Sequence, residues 1–426
     1  MDPAANARQL LTGTMVSGGT VLEDAVLAVA GGRIAYAGPA TGFDSDGFDS
    51  AVFDSTVLDR TVPAAGSGPV RELHLPPGAL ILPGLVDLHC HGAAGGDFTA
   101  GDEAGSRRAV DFLHRSGTTT LLAGLVTAPR ETLLHGLRLH ARLCDEGLLA
   151  GMLLEGPFLA LARCGAQDPA FLRDPDPGLL AELLAAAGGA LASMTYAPEL
   201  PGAGALAREL ARHGVIPSLG HTDCDDATAA AALLDAGAAL TAEAPVRGGR
   251  PTVTHLFNGM PPLHHRNPGP VAACLRSAAT GHAVLELVAD GVHLDPAVVA
   301  TVFALAGAAN VALVTDSMAA AGLPDGGYAL GRAAVTVAAG VARLSDGGAL
   351  AGGTATLLEV VRRTVAAGVP LPDAVRSASE VPAAVLGLGD EFGSLRTGLS
   401  ADAVVVNSGL ELSRVMRRGE WLEPLS

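Results

Sequence analysis

The 426-residue chain contains no lysine, so arginine supplies all 27 of its permanently cationic side chains. Without lysine the chain cannot form a Schiff base through that residue, hold pyridoxal phosphate, or complete a phosphate-binding loop. A carbamylated lysine between two metal ions is excluded as well. These four chemistries are ruled out whatever the reason for the missing residue.

Charged residues are few, and positive ones are outnumbered. Only 17% of the residues are charged and 49% are hydrophobic, which is typical of a compact globular enzyme and not of a disordered chain. The formal net charge of −17 disfavours nonspecific attraction to nucleic acid or anionic lipid. We therefore predict no nucleic-acid partner and no membrane partner, and a phosphorylated ligand would need a local basic pocket.

Cysteine is also scarce and shows no pairing pattern. The five cysteines are odd in number and include no Cys-x-x-Cys motif, which favours a reducing compartment. The N-terminal segment lacks the basic and apolar parts of a signal peptide, so we expect a cytoplasmic protein. The uncharged stretch 296–315 is long enough to cross a membrane. Gly307 and Asn310 interrupt it, however, and predict a buried helix (297–306), a turn and a strand (311–315).

Between residues 79 and 314, eight short apolar runs alternate with segments of helical length. This alternation predicts an α/β fold, a (β/α)₈ barrel of the TIM type. The flanks 15–38 and 402–421 show short alternating runs with turns, which predict a small β-sandwich built from both chain ends. The predicted limits are 1–78 and 389–426 for the small domain and 79–388 for the barrel. The segment 41–69 repeats Phe-Asp-Ser and predicts a flexible surface loop.

Ionisable residues close the apolar runs, at the ends of strands where barrels carry their catalytic groups. His89 and His91 lie two apart and share one face of a strand, although a lone His-x-His motif is weak. Glu155, His221 and His255 each close a different strand, and such a set suits Zn²⁺ or Fe²⁺. The alternative is that these residues serve as helix caps or as hydrogen-bonding groups of the core.

Two carboxylates of this set stand in apolar surroundings. Glu155 interrupts the run Gly-Met-Leu-Leu-Glu-Gly-Pro-Phe-Leu, where an ionised carboxylate is costly to bury unless it is paired or coordinated. Asp316 ends a predicted strand where nearby cations would tune its basicity for proton transfer. Its alternative role is the N-cap of a following helix.

Seven segments carry a family resemblance that spans nearly the whole chain. They are PGLVDLHCHG (83–92), LEGPFLALARCGAQDP (154–169), LGHTDCD (219–225), THLFNGMPPLHHRNPGP (254–270), ADGVHLD (289–295), LVTDSMAAAG (313–322) and LAGGTATLLE (350–359). At these residues the sequence resembles the amidohydrolase superfamily and, within it, the N-acetylglucosamine-6-phosphate deacetylases. The first segment is common to the superfamily, whereas Leu-Glu-Gly-Pro-Phe and His-Leu-Phe-Asn-x-Met-Pro-Pro are more discriminating.

The resemblance implies a hydrolase that removes the acetyl group of a phosphorylated amino sugar and binds one or two divalent ions, Zn or Fe. Glu155, His221 and His255 would hold the main ion, His89 and His91 a second one. Asp316 would be the catalytic proton carrier, and the assembly a homodimer. The implied substrate-contact residues are Ala166, Gln167, Asn258, Gly259, Arg266, Asp290, His293, Leu350, Ala351 and Gly352. Of these, Arg266 with two backbone amides would bind the phosphate, and His293 the sugar.

The chain departs from the family pattern at two places. Gln167 stands where the family usually has a histidine thought to polarise the substrate carbonyl, and glutamine cannot carry a proton. The stretch 240–252 is longer than usual. Three alternatives stay open: a deacetylase for another N-acetylhexosamine phosphate such as the galactosamine epimer, an N-acyl-amino-acid deacylase with Arg266 on a carboxylate, and a barrel that binds sugar phosphates without catalysis.

Overall fold

The computed structural model describes residues 8–45, 48, 70–242 and 247–425. Most of the predicted loop 41–69 and residues 243–246 of the stretch 240–252 therefore lie outside the described residues. The strands are β1 (Arg8–Ser17), β2 (Thr20–Ala30), β3 (Arg33–Pro39), β4 (Val70–His74), β5 (Leu80–Pro83), β6 (Leu85–Cys90), β7 (Gly92–Ala93), β8 (Gly96–Asp97), β9 (Thr118–Val126), β10 (Gly151–Glu155), β11 (Leu191–Tyr196), β12 (Ile216–Leu219), β13 (Thr252–Val253), β14 (Val284–Leu287), β15 (Val311–Leu313), β16 (Gly326–Leu330), β17 (Ala333–Ala338), β18 (Val341–Leu344), β19 (Ala403–Val406), β20 (Leu412–Arg417) and β21 (Glu420–Trp421).

Helices alternate with the barrel strands. They are α1 (Glu103–Arg115), α2 (Arg130–Asp145), α3 (Pro177–Ala187), α4 (Ala203–Arg212), α5 (Asp226–Ala242), α6 (Gly269–Ala279), α7 (Pro296–Ala306), α8 (Leu357–Ala366), α9 (Leu371–Ser377) and α10 (Glu380–Val385). Several begin with a side-chain cap on free backbone amides: Asp102 before α1, Asp176 before α3 and Asp295 before α7. Thr356 and Glu359 form a capping box at the start of α8.

The eight predicted barrel strands form one parallel sheet, which confirms the (β/α)₈ fold. Its order is β15-β14-β13-β12-β11-β10-β9-β6, so each strand pairs with its neighbours in the chain. A parallel bridge between Cys90 and Ser317 joins the two ends, and the His91 amide donates to the Ser317 carbonyl at 2.6 Å. The barrel is thus nearly closed, and the carboxyl ends of its strands meet at one mouth.

Apolar side chains fill the lower part of the barrel. Leu122, Leu153, Ile216 and Val284 belong to one buried cluster with residues of α10, a helix that follows the last strand by many residues. The amide of Val86 also donates to the carbonyl of Ala378, just before α10, at 2.8 Å. The barrel is therefore packed from below and open to ligands only near the mouth.

The second large sheet takes strands from both chain ends, as predicted. The order of its strands is β21-β20-β19-β5-β1-β2-β3, with β4 also paired to β1. Leu27 from the N-terminal strands and Met416 from the C-terminal strands belong to the same apolar cluster. The first apolar run divides between the two sheets, because β5 pairs with β19 while β6 enters the barrel. Arg417 in β20 links this sheet to the barrel by donating to the carbonyls of Thr119 (3.0 Å) and Gly147 (2.7 Å). The predicted domain limits themselves stay a prediction.

A three-stranded antiparallel sheet, β16-β17-β18, follows the last barrel strand and was not predicted. Its residues Val335 and Val337 share an apolar cluster with Val126 and Met318, which lie at the barrel mouth. The stretch 296–315 forms a helix, a short turn and a strand, as predicted. Over the described ranges, no helix combines the length and apolar character that a membrane crossing requires.

Candidate metal centre

The predicted metal ligands reach the barrel mouth from four different strands. His89 is the last residue but one of β6, His91 lies just beyond this strand, and Glu155 is the last residue of β10. His221 and His255 follow β12 and β13 by two residues. All five side chains are buried, with Glu155 only 3% exposed, so their polar atoms can be satisfied only by other groups of the protein or by a bound group.

Glu155 lies at the centre of the cluster. Its Oε1 is 2.8 Å from Nε2 of His221 and 2.8 Å from Nε2 of His255. Its Oε2 is 3.2 Å from Nε2 of His91, and Oε1 is 3.8 Å from Nε2 of His89. One carboxylate therefore faces four imidazoles, which is the arrangement needed for a carboxylate shared between two cation positions.

Asp316 completes a second group on the opposite side of the two β6 histidines. Its Oδ1 is 3.2 Å from Nε2 of His91 and 3.7 Å from Nε2 of His89. Two sets of side chains thus have ligand atoms close enough to hold one ion each: His89 with Glu155 and His255, and His89 with His91 and Asp316. The two sets share His89, so two ions bound there would be neighbours.

The second nitrogen of three histidines fixes which way each ring presents its lone pair. Nδ1 of His89 is 2.9 Å from Glu286 Oε2, Nδ1 of His91 is 3.0 Å from a backbone carbonyl, and Nδ1 of His221 is 2.8 Å from another. Because these oxygens are acceptors, Nδ1 donates and Nε2 of the neutral ring turns its lone pair to the centre.

The two β6 histidines then bring their Nε2 atoms within 3.1 Å of each other. Two lone pairs at that distance repel unless a proton or a cation lies between the rings and other acceptors. Imidazole nitrogens and carboxylate oxygens in this number suit Zn²⁺ or Fe²⁺. The residues present therefore fit a divalent metal ion.

Three residues of the site have an unusual backbone conformation. His221, His255 and Asp316 have φ angles of 48°, 27° and 48°, in the left-handed region that non-glycine residues seldom adopt. Such a residue costs on the order of 1–3 kcal/mol, and such outliers cluster at functional sites. The folded chain thus accepts three unfavourable backbone angles in order to turn these side chains into the mouth.

The charges of the cluster reinforce one another. Burial by itself would raise the pKa of the Glu155 carboxyl, but the charge and hydrogen bond of His221 hold it well below its usual range. Burial likewise opposes ionisation of Asp316, yet the hydrogen bond from His91 and nearby imidazole charges lower its pKa to about 2. Burial lowers the pKa of His91, and the two carboxylates outweigh it and raise that pKa well above the usual value.

Gln167 lies in this cluster, although its predicted partner was the substrate. Its Nε2 donates to Glu155 Oε2 at 2.6 Å, and its Oε1 accepts the Thr127 amide at 2.7 Å. Ala166 packs beside the cluster of the small sheet. The segment with Leu350, Ala351 and Gly352 runs beside the Asp316 backbone: an added Cβ on Gly352 would meet the Asp316 carbonyl at 2.9 Å.

The other predicted substrate contacts line the mouth in two places. Asp290 Oδ2 is 2.9 Å from Nδ1 of His293, whose Nε2 is 3.6 Å from Asp316 Oδ2. A Cβ added to Gly259 would lie 2.9 Å from Nδ1 of His221, so the loop that contains Gly259 packs against the imidazole of His221.

Asn258 and Arg266 belong to the same stretch of chain as Gly259 but are placed differently. The amide of Asn258 already donates to the His255 carbonyl at 3.0 Å. Arg266 is exposed, and among the described residues its guanidinium forms no hydrogen bond or ion pair.

Two buried acids next to the site were not among the predicted site residues. Glu286, 2% exposed in β14, bonds to His89. Asp87 accepts from the Thr315 hydroxyl at 2.6 Å and ties β6 to the residues after β15, and burial raises its pKa to about 6. The available signal was the one used for Glu155: an ionisable residue inside an apolar strand.

The chain forms a nearly closed βα barrel whose mouth holds a group of histidines and carboxylates. This combination is typical of metal-dependent barrel enzymes. The sequence profile described as Amidohydrolase family matches residues 80–422. The chain therefore belongs to the amidohydrolase family.

Named relatives narrow the comparison. The N-acetylglucosamine-6-phosphate deacetylase of Bacillus subtilis (strain 168) is 36% identical over 363 residues, covering 82% of this chain and 86% of the relative. The N-acetylgalactosamine-6-phosphate deacetylase of Escherichia coli O157:H7 is 35% identical over 348 residues, covering 80% and 87%. The structure of a mutant N-acetyl-D-glucosamine-6-phosphate deacetylase from Mycobacterium smegmatis, in complex with N-acetyl-D-glucosamine-6-phosphate, superimposes with a TM-score of 0.83, 36% identity and coverage of 97% and 99%.

Proposed function

We propose that this chain hydrolyses the acetamide of N-acetyl-D-glucosamine 6-phosphate and releases D-glucosamine 6-phosphate and acetate. The observation that carries the proposal is the buried Glu155 carboxylate facing four imidazoles, with the carboxylate of Asp316 beside two of them. The similarity to deacetylases that act on this substrate class supports the choice of substrate.

Glu155, His221 and His255 would hold the principal ion through Oε1 and two Nε2 atoms, and His89 with His91 a second ion. Zinc or iron suits these ligands best. A divalent ion in this place supplies Lewis acidity, which makes water a better nucleophile and an acyl carbon a better electrophile. The hydrogen bonds at Nδ1 of His89, His91 and His221 orient the rings for that task.

Asp316 would move the proton. Its carboxylate, ionised at neutral pH, would accept a proton from the attacking water. The same proton then passes to the departing nitrogen, which leaves as an amine while the acyl group leaves as acetate. His293, 3.6 Å from Asp316 and oriented by Asp290, would contact the sugar.

Arg266 and the amide of Gly259 would receive the phosphate. Arginine suits this role because its planar fork of donors matches phosphate oxygens, and the Arg266 guanidinium has no partner in the described part of the chain. The backbone amide of Asn258 donates to the His255 carbonyl, so it is less available to the phosphate than predicted.

A substrate panel tests the proposal. Protein stripped of metal and reloaded with Zn²⁺ or Fe²⁺ should release acetate from N-acetylglucosamine 6-phosphate and far more slowly from the unphosphorylated sugar. Faster turnover of the galactosamine epimer would favour the second candidate, which the similarity to the Escherichia coli enzyme supports. No metal-dependent acetate from either sugar phosphate would leave the N-acyl-amino-acid deacylase or a binding function without catalysis. The homodimer and the cytoplasmic location also stay predictions.

A further inference from the structure

Both ends of the Gln167 amide form hydrogen bonds within the protein, at the position where the family usually has a histidine. Gln167 is only 5% exposed and lies between the Thr127 amide and the Glu155 carboxylate. From this geometry, and given the proposed metal-dependent function, we propose that Gln167 is a positioning residue for the metal-binding carboxylate of Glu155. It does not polarise the carbonyl of the substrate.

The orientation of the Gln167 amide follows from its partners. The backbone N–H of Thr127 can only donate, so the carbonyl end of the side chain must face it, at 2.7 Å. The NH₂ end then faces Glu155 Oε2 at 2.6 Å, and the ionised carboxylate can only accept. Reversing the amide would place donor against donor and acceptor against acceptor. Both polar ends are therefore committed to the protein.

The two oxygens of Glu155 consequently have different surroundings. Among the described residues, Oε1 faces Nε2 of His221 and His255, whereas Oε2 accepts from Gln167 and faces Nε2 of His91. The Thr127 hydroxyl also donates to the Glu155 backbone carbonyl at 3.0 Å, so side chain and backbone are held from the same strand end. Gln167 thus stops the carboxylate from rotating and presents Oε1 to the two histidines.

The chain offers a matched control because Gln9 and Gln167 are its only glutamines. Gln9 is 6% exposed and donates to the Gly419 carbonyl at 2.6 Å in the other sheet. Gln9→Met and Gln167→Met each remove one buried donor while keeping the length of the side chain. Co²⁺ is the probe, since its visible spectrum reports coordination and its affinity can be measured by competition with a chelator.

We expect Gln167→Met to weaken Co²⁺ binding about 10- to 100-fold and to alter the cobalt spectrum, as the loss of a partner behind a metal ligand does. Gln9→Met should leave affinity and spectrum unchanged. Gln167→His, which restores a donor, should bind Co²⁺ within a few-fold of the parent protein. If Gln167→Met does not fold, Gln167→Ala, which leaves room for a water at the Thr127 amide, gives the same readout.

Unchanged cobalt affinity in Gln167→Met, or equal weakening in both methionine variants, would overturn the proposal. A role on the substrate predicts a different pattern, with normal cobalt binding but a kcat that stays low at saturating metal. The cobalt affinity and the cobalt spectrum can both be measured without deacetylase activity. Failure of the proposed reaction is therefore distinguishable from failure of the positioning role.

Discussion

Replacing Asp316 with Asn separates proton transfer from metal binding. Asn keeps the size of the side chain and an acceptor oxygen for His91, which lies 3.2 Å from Oδ1. It removes the negative charge that faces His91 and His293, and with it the ability to take up a proton. The short contacts of Glu155 with His221 and His255 do not include Asp316, so the principal metal position should survive.

The expected loss follows from the role of the carboxylate. General acid–base catalysis contributes about 10²- to 10⁴-fold, and Asp316 would act in both steps. We therefore expect kcat to fall about 10³-fold or more, equivalent to about 4 kcal/mol of transition-state stabilisation. KM should change little, because the phosphate contacts proposed for Arg266 and Gly259 are untouched.

Acetate release and bound metal should be measured on the same Asp316→Asn preparation. Asp295→Asn is the control: Asp295 is exposed, caps α7 by accepting from the Ala297 amide at 2.8 Å, and lies outside the cluster. Its removal should cost some stability and no activity. A kcat for Asp316→Asn within ten-fold of the parent, at equal metal content, would remove Asp316 from the proposed proton transfer.

Three further substitutions test other parts of the structure. Glu286→Gln weakens the acceptor for Nδ1 of His89, and should lower metal affinity by about ten-fold in a chelator competition. Arg417→Lys loses the fork that spans two backbone carbonyls, and should lower the free energy of unfolding by about 1–2 kcal/mol in a urea titration while kcat is unchanged. Burial lowers the pKa of His140 to about 4. Because the unfolded chain then binds a proton that the folded chain refuses, stability should fall by about 2 kcal/mol from about pH 7 to about pH 5, and less so in His140→Gln.

The barrel could be predicted from sequence because each strand is a short apolar run between helices, and such runs need only local information. The division of the first run between two sheets could not. It occurs at Gly84, where an added Cβ would meet the Thr119 hydroxyl at 2.1 Å and the Asp402 Cβ at 2.7 Å. Those two neighbours lie far away in sequence. The close approach that demands glycine is therefore visible only after folding.

The convergence of the candidate ligands could be predicted because the carboxyl ends of parallel strands meet at one edge, so residues near the ends of different strands come together. The direction in which the His89 side chain points depends on a local irregularity in the pairing of its strand. The pairing of β6 with β9 shifts register between Asp87 and Cys90, and such a shift re-aims side chains. An alternating pattern places Val86 and Leu88 in the barrel interior, yet His89 reaches the interior as well.

Glu286 shows how the same alternation could have extended the prediction. Leu153 and Val284 both point into the barrel interior, and the residues two further on, Glu155 and Glu286, must do so too. The Glu155 carboxylate faces the Nε2 atoms that point toward the centre, whereas the Glu286 carboxylate accepts from Nδ1 of His89. A buried glutamate two residues after an interior apolar residue is thus an acid aimed at the mouth, and its role depends on whether its strand ends there.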